Sequence, residues 1–303
     1  MTTTAEAPAH RCSYLAGLLG DPLTATALET RGWILVEHEG PWGKNALRES
    51  DLDPALVAEI EARTDATGVR VQLISPPPGS PPGACYIAGD PRDTRAPWLV
   101  RLGMKEVGDV LGLDFAAIAA GHRPDGGEPA GPLYAVCANE QSDPCCGSTG
   151  RQVHAAAADR LGDRVRRTAH VGGHKYAANM VVFPYALYYG RLDPHSVLNV
   201  LDANEAGHLF ADKYRGRSTF SIAEQAAEQH LRRVLGLTAL DAVTLLEAAR
   251  SPGDRRHHVR LAAAGREYTV TVTERDQLPA RLQSCTDKGP TVPVEWLLED
   301  VAG

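Results

Sequence analysis

Three cysteines and two histidines have residue types and sequence positions suited to metal binding. Cys137, Cys145 and Cys146 lie in the stretch CANEQSDPCC, and His170 and His174 lie in HVGGH. Thiolate sulfur and imidazole nitrogen are ligands of zinc, copper and iron–sulfur clusters. The clustering of three thiols upstream of a histidine pair therefore favours ligation of a metal or a cluster over a purely structural role.

The glycines between the histidines restrict the local structure. Residues four apart share one face of a helix, but Gly172 and Gly173 each disfavour a helix interior by about 1 kcal/mol relative to alanine. We predict a loop or a frayed helix start over HVGGH. Glycines there would let the backbone approach a bulky group closely.

The spacing narrows the kind of site without identifying the metal. Structural Cys₂His₂ zinc sites have two to four residues between their cysteines, whereas eight separate Cys137 from Cys146. Mononuclear iron prefers two histidines and a carboxylate. Rieske centres pair each cysteine with a histidine nearby in sequence, whereas here both cysteines precede both histidines.

Composition limits the classes of binding partner and the cellular compartment that we expect. A net charge of −7 among 303 residues argues against a nucleic-acid surface. No run of about 18 apolar residues and no signal-peptide pattern is present, so we expect a cytoplasmic protein without membrane contact. Six cysteines are too sparse for a secreted disulfide scaffold.

The order of predicted elements indicates an α/β (α+β) fold with three units. Residues 1–124 are predicted as an N-terminal α/β unit with the order β-α-β-β-β-α. Its elements are strands at 33–38 and 69–74, a helix at 53–64 with Asp53 at the cap, a hairpin of 85–89 with 98–104, and a helix at 105–120. Residues 125–213 form a second unit with a similar order. Its elements are strands at 133–137 and 164–171, a helix at 148–162, a hairpin over 179–192 and a helix at 194–206. This order is typical of a thioredoxin-like unit, in which reactive cysteines follow the first strand. An internal repeat is one interpretation of the two units.

Residues 214–303 are predicted as an α+β appendage. A capping-box pattern predicts a helix over 222–236, and a second helix is predicted over 240–250. A hairpin turning at Gly265 is predicted over 257–274. Two helices before a hairpin suggest a winged-helix-like unit.

Several motifs together resemble the sucrase/ferredoxin-like family. They are CANEQSDPCCG, HVGGHKYAANMVVFP and YYGRLDP, with EHEGPWGKNAL near the N-terminus. Members of that family are thioredoxin-like ferredoxins whose [2Fe–2S] cluster is held by two cysteines and two histidines. The resemblance implies Cys137, Cys146, His170 and His174 as cluster ligands, with Cys145 as the alternate to Cys146.

The sequence departs from the family pattern within the cysteine loop. Many members have Ser-His and a basic residue there, whereas this chain has Ala138, Asn139 and Ser142, and it adds Cys145. Asp143 matches the aspartate of the pattern. Residues expected to support the histidines are Lys175, Tyr176, Asn179 and Tyr188. Arg191 is expected to neutralise the reduced cluster or dock a partner, or else to pair with an acid in its turn.

The resemblance implies an electron-transfer or redox-sensing protein with no catalytic residues of its own and a redox protein of unknown identity as partner. Bis-histidine ligation implies proton-coupled reduction, as in Rieske centres. Two other functions remain open, a thiol-dependent thioredoxin-like oxidoreductase and a zinc-stabilised binding module. Glycoside hydrolysis is disfavoured because no pair of carboxylates stands out.

Overall fold

The computed structural model describes residues 11–89, 96–139, 141–250 and 255–303. Residues 1–10 lie outside the described residues, as does residue 140 in the cysteine loop. The prediction that the N-terminus has no signal-peptide pattern therefore falls partly on residues outside the described ones. Among the described residues, no helix combines the length and the apolar character needed to cross a membrane.

The N-terminal half is built around a parallel pair of strands with a hairpin beside it. Strand β1 pairs in parallel with β2 and antiparallel with β3, which pairs antiparallel with β4. The side chain of Asp53 caps α2, as predicted. The elements are α1 (Cys12–Leu18), β1 (Gly32–Glu37), α2 (Pro54–Thr67), β2 (Val69–Ile74), β3 (Ala84–Ala88), β4 (Leu99–Gly103), α3 (Phe115–Ala119) and β5 (Glu128–Pro129).

The C-terminal half of the sheet has the same arrangement. Strand β6 pairs in parallel with β7 and antiparallel with β8, which pairs antiparallel with β9. The two hairpins predicted within the halves are therefore confirmed, and the shared arrangement agrees with the repeat interpretation. The elements are β6 (Leu133–Cys137), α4 (Pro144–Leu161), β7 (Val165–Thr168), β8 (Met180–Phe183), β9 (Leu187–Tyr189), α5 (Pro194–Glu205) and β10 (Tyr214–Arg217).

The two halves join edge to edge through β2 and β7. In the described residues, one mixed sheet runs in the order β10-β9-β8-β6-β7-β2-β1-β3-β4-β5. Ile74 lies opposite Thr168 in the antiparallel join. The Thr168 hydroxyl donates to the carbonyl of Leu73 at 2.8 Å and accepts from the Gln72 amide at 2.9 Å. The mixed α+β class is confirmed. One sheet contains strands from both sides of the unit boundary that was predicted between residues 124 and 125.

Two predicted helices in this part of the chain have different bounds. Helix α4 begins at Pro144 rather than at residue 148, because Asp143 caps it and proline is favoured in the first turn. The continuous helix predicted over 105–120 is wrong. A 3-10 turn at Val107–Gly112 is followed by α3, because Asp114 accepts a hydrogen bond from Ala117 N and starts a new helix.

The C-terminal part is one helix packed on an antiparallel sheet. Helix α6 (Ile222–Leu235) has the predicted capping box. The helix predicted over 240–250 is wrong, since β11 (Val243–Arg250) pairs with β12 (Arg256–Ala263). Its Leu, Ala and Glu residues favour a helix, but pairing and burial of one face override that preference. The winged-helix-like arrangement is wrong for the same reason.

The sheet of the C-terminal part is a meander that ends in the last strand of the chain. The predicted hairpin over 257–274 is confirmed by β12 and β13 (Arg266–Asp276), and β14 (Val294–Ala302) completes the order β11-β12-β13-β14. Helix α6 connects this sheet to the main one. The Gln229 amide donates to the carbonyl of Arg215 in β10 at 3.0 Å.

Helix α4 packs against the end of β6 at Gly150. An added Cβ at Gly150 would overlap the carbonyl oxygen of Cys137 and lie 3.2 Å from the Cα of Ala138. Both are backbone atoms, so they cannot move aside as a flexible side chain would. This close approach sets the distance between the first turns of α4 and the end of β6.

We predict that Gly150→Ala destabilises the protein although alanine favours helices. The helix preference of alanine contributes about 1 kcal/mol, whereas overpacking against backbone costs about 1–3 kcal/mol. Because the added Cβ would overlap backbone, we expect a cost at the upper end of that range and a net loss in the free energy of unfolding of about 2 kcal/mol, measured by chemical denaturation. The control is Gly17→Ala in α1, where an added Cβ meets open space. Equal stability of the two variants would contradict the close approach.

Candidate metal centre

The parallel pair β6 and β7 brings the two sequence motifs to one edge of the sheet. Cys137, the last residue of β6, lies opposite Thr168, the last residue of β7. His170 follows two residues later, and His174 starts a 3-10 turn at His174–Tyr176. Because the carboxyl ends of adjacent parallel strands lie at the same edge, residues far apart in sequence meet there.

The first turn of α4 presents Cys145 and Cys146 in two different directions. The Asp143 carboxylate accepts a hydrogen bond from the Cys145 backbone N–H at 2.8 Å. Consecutive helix residues point about 100° apart, so neighbouring side chains contact different surroundings. Cys146 faces the end of β6 and the histidines, and Cys145 faces α1.

Cys137, Cys146, His170 and His174 form a compact set of donors, which we call the Cys₂His₂ group. One ligand atom from each of Cys137, Cys146 and His170 lies within 4.8 Å of the others. The Cys146 Sγ lies 3.5 Å from the His174 Nδ1, and the two imidazole rings stack with centroids 3.7 Å apart. These four residues could together bind a metal.

The protonation states of Cys137 and His174 suit metal binding, and the proton that remains on Cys146 would leave when a metal binds. The Cys146 thiol donates a hydrogen bond to the Cys137 sulfur, which holds the pKa of Cys137 well below its usual value and raises the pKa of Cys146. Burial lowers the pKa of His174, so its imidazole is neutral at pH 7. Thiolate and neutral imidazole are the forms that ligate metals.

One donor atom of the group is buried without a hydrogen-bond partner. His170 Nδ1 is inaccessible to solvent and unpaired. A buried polar atom left unsatisfied costs about 1–3 kcal/mol, and such atoms are uncommon in native structures. A metal ion or cluster beside the two sulfurs would supply the missing partner.

The histidine loop has the backbone conformation that its glycines allow. Gly172 and Gly173 have φ angles of 93° and 77°, which side-chain-bearing residues rarely adopt. A Cβ on Gly173 would overlap the Arg215 guanidinium. The predicted loop over HVGGH is confirmed. The backbone conformation favours glycine at both positions, and the space beside Arg215 also requires it at Gly173.

A buried arginine supports the loop from below. Arg215 Nη1 donates to Asn179 Oδ1 at 2.7 Å and to the Gly172 carbonyl at 3.2 Å, and Arg215 Nε donates to Thr26 Oγ1 at 3.0 Å. Its guanidinium lies 4.7 Å from the centre of the Tyr176 ring. Burial lowers the pKa of Arg215 to about 10, so it remains a cation at pH 7.

A second arginine contacts the loop from the β2 side. Arg70 Nη2 donates to the His170 carbonyl at 2.8 Å, and Arg70 Nε donates to Gln72 Oε1 at 2.9 Å. Burial lowers the pKa of Arg70, and the charges of Tyr188 and Cys137 oppose this shift. Two cations therefore lie beside the Cys₂His₂ group.

The other expected supporting residues hold the loop backbone and the surrounding segments. Tyr188 Oη donates to the Val171 carbonyl at 3.0 Å, and Asn179 Nδ2 donates to the Gly173 carbonyl at 3.0 Å. Lys175 Nζ pairs with Asp21 at 2.8 Å. In the described part of the chain, none of these groups bonds to an imidazole ring.

In the described residues, Arg191 forms no ion pair with a carboxylate of its own turn. Its guanidinium donates to the carbonyl of Ala16 in α1 at 3.1 Å and to that of Asp21 after the end of α1 at 2.6 Å. It therefore fastens the N-terminal segment to the sheet.

The sulfurs of the Cys₂His₂ group are buried, whereas the imidazole edges reach the surface. Cys137 and Cys146 are fully buried, and the His174 side chain is 17% exposed. A cleft of about 380 Å³ opens on His170 and His174 between the segment 44–49 and β2. A second cleft of about 440 Å³ opens on His174 from the side of Gln283 and Asp287.

Cys145 belongs to a separate cluster of thiols, which we call the three-cysteine group. Its Sγ lies 3.8 Å from Cys12 Sγ in α1 and 3.5 Å from Cys285 Sγ in the segment between β13 and β14. A hydrogen bond from the Cys12 thiol lowers the pKa of Cys145 to about 6 and raises the pKa of Cys12.

The sequence analysis missed Arg70, Arg215, Cys12 and Cys285 at this edge of the sheet. Cys12 and Cys285 lie 133 and 140 residues from Cys145. No local spacing relates them to it, and a buried arginine has no sequence signature. One signal could have suggested a second group of thiols. It is the number of cysteines that remain after Cys137 and Cys146 are assigned to the motif.

Comparison with known proteins finds relatives that match part of this chain. Two curated proteins named "Altered inheritance of mitochondria protein 32", from Meyerozyma guilliermondii and Debaryomyces hansenii, are each 32% identical over 95 residues. The match covers 28% of this chain and 34% and 35% of the respective relatives, so the chain spans about a third of their length. No solved structure matches the chain.

The family comparison covers a longer part of the chain. The model of the sucrase/ferredoxin-like family matches residues 23–216, which include both halves of the main sheet and the whole Cys₂His₂ group. This match extends over well more than half of the sequence, and the chain therefore belongs to the sucrase/ferredoxin-like family.

Proposed function

We propose that this protein transfers electrons or senses redox state through a [2Fe–2S] cluster held by Cys137, Cys146, His170 and His174 in a thioredoxin-like unit. The observation that carries this proposal is the convergence of two buried sulfurs and two stacked imidazoles at one sheet edge. A bound [2Fe–2S] cluster would supply reversible one-electron chemistry.

The donor set fits such a group on chemical grounds. Two thiolates and two neutral imidazoles are the ligand types of the known Cys₂His₂ [2Fe–2S] centres. The buried Nδ1 of His170 has no hydrogen-bond partner, and an iron atom of such a cluster would supply one. Cys145 points to a different set of neighbours, which favours Cys146 as the second thiolate.

The nearby cations support an anionic centre. Arg215 is fully buried, and no carboxylate forms an ion pair with it among the described residues. The charges of Cys137 and Cys146 raise the pKa of Arg215, although the larger effect of burial lowers it. A buried charge is strongly unfavourable unless an opposite charge or hydrogen bonds compensate it. Thiolates beside Arg215 supply the opposite charge.

The exposure of the histidines suggests where a redox partner binds. The sulfurs lie beneath the surface, and the clefts open onto the imidazole edges. We propose that the partner, a redox protein of unknown identity, docks over His170 and His174. A thiol-dependent enzyme is less compatible with the site, because reactive thiols are partly exposed whereas Cys137 and Cys146 are fully buried.

We predict that protein purified without oxygen contains two iron and two sulfide ions per chain and has the ligands named above. Changing Cys137 or Cys146 to Ser, or His170 or His174 to Ala, should abolish the visible absorption and the EPR signal of the reduced protein. Cys85→Ala is the remote control, since Cys85 is buried in β3 away from both thiol groups.

The neighbouring cysteine tests the ligand choice. Cys145→Ser should retain iron and sulfide at the wild-type amount. Loss of the cluster in Cys145→Ser with retention in Cys146→Ser would overturn the assignment, and a colourless protein that binds zinc at the Cys₂His₂ group would overturn the proposed function.

We predict that Arg70→Met lowers the midpoint reduction potential by tens of millivolts. A cation beside the site stabilises the more negative reduced state, and one charge at an effective dielectric near 20 contributes on the order of 1 kcal/mol. Arg70→Lys should retain most of the potential. Arg260→Met on the C-terminal sheet is the control, because Arg260 pairs with Glu247 and Glu267 at the surface.

The variants can be compared by redox titration followed in the visible spectrum. An unchanged potential in Arg70→Met, with the spectrum intact, would exclude an electrostatic role for Arg70.

We predict that the reduction potential falls as pH rises. Added negative charge raises the pKa of a ligating imidazole, so reduction favours a protonated ring nitrogen and high pH favours the oxidised state. The limiting slope is about −59 mV per pH unit for one proton and one electron. A potential that stays flat between about pH 6 and pH 10 would contradict proton coupling at His170 and His174.

A further inference from the structure

We propose that the three-cysteine group, Cys12, Cys145 and Cys285, binds one zinc ion with the Asp143 carboxylate as fourth ligand. This site is separate from the Cys₂His₂ group and does not depend on the function proposed above. It is formed by the start of α1, the first turn of α4 and the segment between β13 and β14.

The distances between the donor atoms match tetrahedral zinc. Zinc–sulfur bonds of about 2.3 Å in a tetrahedron place sulfurs about 3.8 Å apart. The observed separations are 3.8 Å between Cys12 and Cys145 and 3.5 Å between Cys145 and Cys285. One ligand atom from each of the four residues lies within 4.8 Å of the others.

The surroundings of these donors resemble the outer contacts of a metal site. The backbone N–H of Cys12 donates to the Cys285 sulfur at 3.3 Å, a contact that stabilises a thiolate. Asp143 Oδ2 accepts from the backbone N–H of Cys285 and from the Ser284 hydroxyl, each at 3.1 Å. These bonds orient the carboxylate. Oδ2 accepts two of them, whereas Oδ1 accepts one, from the Cys145 backbone N–H, and has a second lone pair available for a metal.

Burial argues for a metal rather than for free thiols. Cys12, Cys145 and Asp143 are at most 2% exposed. Three hydrogen bonds keep the Asp143 carboxylate charged, and zinc would neutralise the further negative charge of thiolates placed beside it. Zinc accepts mixed sulfur and oxygen donors in a closed four-coordinate site, whereas a single disulfide would use two sulfurs and leave the third unpaired.

A zinc ion here would join three segments that are distant in sequence. The segment carrying Cys285 also lines the cleft at His174 through Gln283 and Asp287. Zinc binding would therefore hold the segment that carries Cys285 against α1 and α4. The zinc ligand Asp143 also lies 3.8 Å from His174 Nδ1.

The test measures zinc and iron together in the anaerobically purified full chain. We expect one zinc per chain, retained after Cys137→Ser removes the iron. Cys12→Ser and Cys285→Ser should lose the zinc and keep iron and sulfide. Cys85→Ala should keep zinc, iron and sulfide at the wild-type level. This pattern distinguishes failure of the zinc site from failure of the [2Fe–2S] proposal.

A second measurement does not require the variants to fold. Replacing zinc by Co²⁺ in the wild-type chain should produce the intense visible bands of tetrahedral cobalt and the ultraviolet thiolate-to-cobalt absorption. Mass spectrometry that finds Cys145 and Cys285 in a disulfide in the anaerobic protein would overturn the proposal. Zinc retained in both Cys12→Ser and Cys285→Ser, or wild-type protein without zinc and without a cobalt spectrum, would also overturn it.

Discussion

The Cys₂His₂ group and the three-cysteine group both depend on the buried carboxylate of Asp143. It accepts hydrogen bonds from the backbone of Cys145 and Cys285 and from Ser284, and it lies 3.8 Å from His174. The same side chain thus starts α4, fastens the C-terminal segment and faces an imidazole. Because the carboxylate is buried, the three hydrogen bonds contribute to keeping it charged, and losing the side chain would release several segments at once.

Buried charges also determine how the histidine loop is held. Arg215 lies beneath the loop, and Asp21 joins Lys175 of the loop to Arg281 of the C-terminal segment. Such pairs are stable only with good geometry, because desolvation of each charge is costly. They make the site an assembly of the N-terminal segment, the sheet and the C-terminal segment, although the donors of the Cys₂His₂ group lie between residues 137 and 174.

Much of the strand pattern could be predicted from local sequence. The hairpins, the capped helix α2 and the capping box of α6 follow from periodicity and end signals. The failures have tertiary causes. Strand β11 forms from residues that favour a helix because β12 offers it a pairing edge, and the four residues of β10 are too few and too polar to be recognised.

The sequence by itself pointed to Cys137, His170 and His174 as candidate donors, because a loop after a strand and a glycine-containing turn are local features, and it left Cys145 as the alternate to Cys146. Only the tertiary structure decided which neighbours those donors have. Cys145 and Cys146 are adjacent in sequence, yet helix geometry turns them toward different groups. Cys12 and Cys285 join Cys145 through contacts between residues more than 130 positions apart, and no spacing rule can predict an encounter that depends on how the whole chain packs.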